Sequence, residues 1–144
     1  YGTVKRLKNE ELELGYRTSA LERRGLFAVR AAFSLTTGDP GAIREKMEEL
    51  AAKRKEKQPL EYPSAGSTFK RPEGYFAGKL IEDAGLKGFS VGGAAVSEKH
   101  AGFVINKDHG TAADILELCN EVKRRVKENS GVDLEMEVKL LGDF

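Results

Sequence analysis

The chain has 144 residues, 40% hydrophobic and 33% charged, a balance that supports an ordinary globular core and excludes collagen-like, disordered and membrane-embedded classes. Lysine and arginine total 24 against 23 acidic residues, so at a net charge of +1 no global field favours nucleic acid, and any anion site must come from local clustering. No run approaches the ~20 apolar residues a bilayer helix needs, and "YGTVKRLKNEE" lacks a basic-then-apolar leader; neither span nor signal peptide is expected, and the expected setting is cytoplasmic.

Residues 1–36 are predicted to form strands. In "GLFAVRAAFSL" Phe27, Val29, Ala31, Phe33 and Leu35 alternate, leaving Arg30 and Ser34 on the other face. "TTGDPGA" breaks that pattern, and Asp39-Pro40 opens a helix, because Asp accepts from free first-turn amides and Pro loses no hydrogen bond there. Ile43, Met47, Leu50 and Ala51 make its apolar stripe. Its basic tail "KRKEK" suits the negative end of the helix dipole, and Pro59 stops it.

Further on, "YFAGKLIEDAGLKG" carries Phe76, Leu80, Ile81 and Ala84 at helical spacing, with Gly85 and Gly88 to stop and turn the chain. "FSVGGAAV" and "GFVINK" read as strands separated by the polar "SEKHA"; Gly92 and Gly93 inside the first indicate a bulge or the close approach of another backbone or ligand. Thr111 and Asp114 form a capping box for a helix with the stripe Ile115, Leu118, Cys119, Val122 and Val126, ended by "NSG". Cys119, the single cysteine, lies on that stripe and is expected to be a buried, inert thiol. In "VDLEMEVKLLG" Leu134, Met136, Val138 and Leu140 face a core, with Glu135, Glu137 and Lys139 on the opposite side. The order of elements predicts an α+β fold with a boundary at "TTGDP", since the first 36 residues are too few for a domain of their own.

No metal site is expected: His100, His109 and Cys119 lack ligand spacing. Ser67 with His100 lacks the strand-elbow-helix context of a hydrolase nucleophile, and "GGAAV" lacks the spacing of a dinucleotide fingerprint. What remains is "PSAGSTFKRP": Ser67 in a glycine turn, Lys70 and Arg71 beside it, Arg54 and Lys57 shortly before, and the strand carboxylates Glu135 and Glu137. Several cations around free turn amides are what a polyanionic ligand requires. The plainer reading is that the glycines serve the turn and the lysines serve solubility.

Together, "YPSAGSTFKRPEGYFAGKLIEDAGLKG", "VGGAAVSEKHAGFVIN", "GVDLEMEVKLLG" and, upstream, "LELGYRTSAL" resemble the C-terminal portion of the UDP-N-acetylenolpyruvoylglucosamine reductase (MurB) family, over essentially the whole chain. The direct "KQPLEYPSAGSTFKRP" connection is similar to its shorter, type II branch. The resemblance implies a small antiparallel or mixed sheet with packed helices as a substrate-binding domain over 37–144, with 1–36 as the last strands of an FAD-binding domain. It also implies a two-step reaction: NADPH reduces FAD, and a hydride then passes to C3 of the enolpyruvyl ether of UDP-N-acetylglucosamine, giving UDP-N-acetylmuramate for peptidoglycan. By the same resemblance Ser67 is the general acid that protonates C2, Arg17 stabilises charge on the substrate carboxylate, and Glu137 polarises the intermediate or supplies a proton. Glu135 has the same orientation by parity, so that choice rests on the resemblance. Tyr16, Arg54, Lys57, Lys70 and Arg71 fall at or near substrate contacts, with Arg54 and Lys57 on the diphosphate. Lys139 stands where relatives often carry arginine, which removes a fork. The family's flavin-binding loops match nothing here, so the chain is expected to be one piece of a longer reductase, inactive alone and completed by the flavin-binding portion. The competing reading is a non-catalytic nucleotide-sugar binding module; partners from nucleic acid or membrane are not expected.

Overall fold

A computed structural model describes residues 2–142. The chain divides into two units, Tyr1–Asp39 and Pro40–Phe144. In the first, a 3-10 turn at Asn9–Leu12 and a short helix α1 at Ala20–Arg23 flank a tight turn, in which Gly15 and Thr18 exchange backbone hydrogen bonds of 3.1 and 3.4 Å. Glu13 braces this turn by pairing with Arg23 at 2.7 Å and with Arg24, and these guanidinium groups hold its carboxyl below the usual range. Arg23 also donates to the Thr18 hydroxyl at 3.2 Å.

The strands predicted within 1–36 are not formed. Residues 26–36 pair with no strand among the described residues, and Phe27 and Phe33 stand 95% and 81% exposed. Alternation prepares a segment for pairing, but a ladder needs a second backbone and a covering layer, and the described residues supply neither.

In the second unit, helix α2 (Pro40–Lys57) starts at Pro40 and ends ahead of the buried Pro59. Its stripe does not pack: Ile43, Met47 and Leu50 are exposed. The helix is carried by strong helix formers and by surface pairs such as Lys46–Glu49 at 2.7 Å and Lys53–Glu49.

Four strands, β1 (Ser64–Ser67), β2 (Ser90–Val91), β3 (Ala94–Val96) and β4 (Phe103–Asn106), make an antiparallel sheet of order β1-β4-β3-β2. "FSVGGAAV", predicted as one strand, is instead the hairpin β2–β3 turning at Gly92-Gly93. The Gly93 carbonyl accepts from Lys107 and Asp108 at 2.9 and 3.0 Å, and a Cβ on Gly93 would overlap the Asp108 oxygen and the Gly110 amide. The glycines therefore serve a close backbone crossing.

Helix α4 (Ala112–Ser130) packs on β2, β3 and β4, and helix α3 (Ala77–Asp83) packs on α4. Alternate strand residues Ala94, Val96 and Val104 join Leu80, Ile81, Leu118, Val122 and Val126 in the main core; Ala95, Phe103 and Ile105 form a second cluster. Thr111 caps α4, accepting from the Asp114 amide at 3.1 Å, while Asp114 accepts from the Thr111 amide at 2.8 Å. Cys119 is buried on α4, and burial pushes its thiol up to about 11, so it holds no thiolate at neutral pH.

The predicted last strand is shorter than its alternation suggests. Met136 bridges Phe69, the Lys70 amide donates to the Glu135 carbonyl at 2.8 Å, and the Glu137 amide donates to the Thr68 carbonyl at 2.9 Å. Leu134 is buried and Met136 packs on the core, but Leu140 is exposed. Its partner does not extend the ladder at either end: Gly66 adopts φ +89° upstream, and downstream Pro72 has no amide to give. Among the described residues no helix is long and apolar enough to cross a membrane, and no group of three or more His, Cys, Asp or Glu could hold a metal.

Candidate functional site

Two neighbouring hydroxyls at the end of β1 have opposite fates. Thr68 is buried: its Oγ1 accepts from the Val104 amide at 2.9 Å and its own amide donates to the Gly102 carbonyl at 2.9 Å. Ser67 is exposed, and its hydroxyl has no hydrogen-bond partner among the described residues. The register irregularity between Ser64 and Ser67, at the left-handed Gly66, presents the two differently.

The two glutamates also separate. Glu135 is mostly exposed and pairs with Lys70. Glu137 is half-buried, and its backbone is paired with Thr68, immediately beside Ser67. The sheet thus brings together Ser67, Glu137 and the Lys70–Glu135 pair in one backbone-linked patch.

The remaining cations reach the fold from other elements. Arg71 donates Nε to the Tyr75 carbonyl at 3.1 Å and lies 3.9 Å over the Phe76 ring. Arg54, near the end of α2, donates to Gln58 at 3.1 Å, and Lys57 closes the helix. Lys99 fastens this end of α2 to the turn between β3 and β4: its Nζ donates to the Lys55 carbonyl at 2.9 Å and lies 3.5 Å from Glu61. In the same turn the Ser97 hydroxyl accepts from the Lys99 and His100 amides, and His100 Nδ1 accepts from the Gly102 amide at 3.1 Å. The His100 ring meets Phe103 edge-on at 4.9 Å, and Phe103 is the strand partner of Ser67. The spacing of "SEKHA" assigns no role to Ser97. The missed signal is a serine two and three residues ahead of the amides it caps.

Tyr16 and Arg17 lie in the first unit, as the two central residues of the Gly15–Thr18 turn. The Arg17 guanidinium is 6.0 Å from the Tyr16 ring centroid. Arg17 has φ +56°, a conformation costing about 1–3 kcal/mol in a residue with a side chain, and the Glu13–Arg23 pair braces the same turn.

The family model described as UDP-N-acetylenolpyruvoylglucosamine reductase, C-terminal domain, matches residues 58–141. The UDP-N-acetylenolpyruvoylglucosamine reductase of Clostridium perfringens is 58% identical over 139 residues, covering 96% of this chain and 46% of that protein. That of Lachnoclostridium phytofermentans is 59% identical over 142 residues, with 99% and 46% covered. The crystal structure of UDP-N-acetylenolpyruvylglucosamine reductase (MurB) from Thermus caldophilus superposes with a TM-score of 0.75 at 40% identity, over 90% of this chain and 46% of that one. The chain spans about half the length of the curated relatives it matches. With four antiparallel strands, packed helices and these matches, the chain belongs to the UDP-N-acetylenolpyruvoylglucosamine reductase family and carries its C-terminal domain.

Proposed function

We propose that this chain is the substrate-binding and proton-donating part of an NADPH- and FAD-dependent cytoplasmic reductase that converts UDP-N-acetylglucosamine enolpyruvate to UDP-N-acetylmuramate in peptidoglycan synthesis. The observation that carries the reading is the exposed, unpartnered Ser67 hydroxyl, set by a bulge beside Glu137. On this reading residues 1–36 close the flavin-binding part and 37–144 form the substrate-binding domain. The uncovered alternation of 26–36 then pairs within the remainder of the complete polypeptide.

The chain's one Gly-Gly pair, which could pass a pyrophosphate, is filled by the backbone of residues 108–110. FAD and NADPH would supply a hydride from outside these residues, and the proton falls to this chain. Reduction of an enolpyruvyl double bond leaves negative charge on C2, which spreads onto the adjoining carboxylate. Arg17, a permanent forked cation, stabilises that charge, and Glu137 polarises the same group. Ser67 then gives its hydroxyl proton to C2; an alcohol is too weak an acid for most leaving groups, but a carbon base takes its proton. Arg54 and Lys57 hold the diphosphate, and Tyr16, Lys70 and Arg71 line the substrate.

Ser67→Ala in the complete polypeptide tests this. Flavin reduction by NADPH should persist while turnover of the enolpyruvyl ether falls by about 10²–10⁴-fold. Retained turnover overturns the acid assignment. Binding of UDP without substrate-dependent NADPH oxidation in the unaltered protein would favour a nucleotide-sugar binding module instead.

A further inference from the structure

We infer that Phe76 and the Tyr75 carbonyl are positioning elements that hold the Arg71 guanidinium as a preset donor for an oxyanion of the substrate; this rests on the functional reading above. Lys70 and Arg71 are adjacent cations with different surroundings. Lys70 is compensated by Glu135, whereas Arg71 makes no ion pair among the described residues. Arg71 is instead restrained twice. Its Nε donates to the Tyr75 carbonyl at 3.1 Å, and its Cζ lies 3.9 Å from the centroid of the Phe76 ring. The carbonyl is itself fixed, because the Tyr75 amide donates to the Pro72 carbonyl at 3.1 Å and closes the turn.

Core packing does not account for Phe76, which is 62% exposed just ahead of α3. The guanidinium lies over this exposed ring, a cation–π contact that restrains it. With Nε bonded and Cζ against the ring, Nη1 and Nη2 remain without partners among the described residues. That edge is the fork that matches a phosphate or carboxylate through two parallel hydrogen bonds. Restraint before binding lowers the entropy lost when the ligand arrives.

The test uses the complete flavin-loaded polypeptide, with KM and kcat measured for the enolpyruvyl ether and Ki for UDP. Phe76→Leu should raise KM about two- to fivefold, with the effect falling on KM rather than kcat, and Phe76→Tyr should keep the unaltered KM. Arg71→Lys should raise KM further, and adding Phe76→Leu to it should change little more, because the fork is already gone. A parallel rise in the Ki of UDP assigns the phosphate; a rise in KM alone assigns the carboxylate, and both uphold the inference. Unchanged KM and Ki in Phe76→Leu, or an undiminished Phe76→Leu effect in the Arg71→Lys background, overturns it. An unaltered polypeptide that binds no UDP-sugar would sink the functional reading and this inference together. Normal kinetics with an inert Phe76→Leu sinks the inference alone.

Discussion

Helices α2 and α4 are 18 and 19 residues long and both carry apolar stripes, yet α4 buries Leu118, Cys119, Val122 and Val126 while α2 buries nothing. The difference lies in what each stripe meets. The stripe of α4 faces the sheet and α3, and its start is fastened by a capping box joined to the β2–β3 turn through Asp114. That of α2 meets no layer among the described residues, so its helicity rests on propensity and surface pairs, and its end is held by Lys99. A hydrophobic pattern states what a segment is able to bury; burial itself requires a second surface.

The contrast can be broken most directly in the core. Leu118→Ala should cost about 2–5 kcal/mol in urea unfolding of this chain, since it removes fully buried methyl groups and leaves a cavity. Gly93→Ala comes next, at about 1–3 kcal/mol read from the same transition, because the added carbon must displace the Asp108–Gly110 backbone. Thr111→Ala should remove about 1 kcal/mol with the α4 cap, visible as a lower midpoint without a change of slope.

A smaller effect should appear with pH. Hydrogen bonds from Thr111, and more weakly from Gly93, hold the Asp114 carboxyl below its ordinary value. A depressed folded-state value means that this contribution is complete above the unfolded Asp value of about 3.9 and fades as pH falls below it. Asp114→Asn should flatten that part of an acid titration followed by circular dichroism, and an unaltered profile would show that the cap does not depend on charge. Smallest of all, Leu50→Ala on α2 should stay within about 0.5 kcal/mol. A loss matching that of Leu118→Ala would mean that α2 is covered after all.

Much of the second unit was legible from residues alone. Pro40 and Pro59 bound α2, Thr111 with Asp114 opens α4, and the spacing from Leu118 to Val126 marks its buried side. The "PSAGSTFKRP" stretch stood out as a candidate because an alcohol, a glycine turn and two cations coincide there. The distinction between Ser67 and Thr68 was not legible, for it depends on which hydroxyl the β4 backbone occupies. Parity likewise placed Glu135 and Glu137 on one face, and only cross-strand neighbours separate them: Lys70 takes one, while the other lies against Thr68.

Caps, stops and periodicity act within a few residues, so local chemistry is enough to mark helices α2, α3 and α4 of the second unit. Whether an alternating run becomes a strand is set by partners far along the polypeptide. Residues 26–36 find none among the described residues, "FSVGGAAV" folds back on itself where residues 107–110 cross its glycines, and the last strand ends between the left-handed Gly66 and the amide-less Pro72 of its partner. Such outcomes come from packing in three dimensions, because a ladder hydrogen bond and a buried face each need a second surface that no local pattern contains.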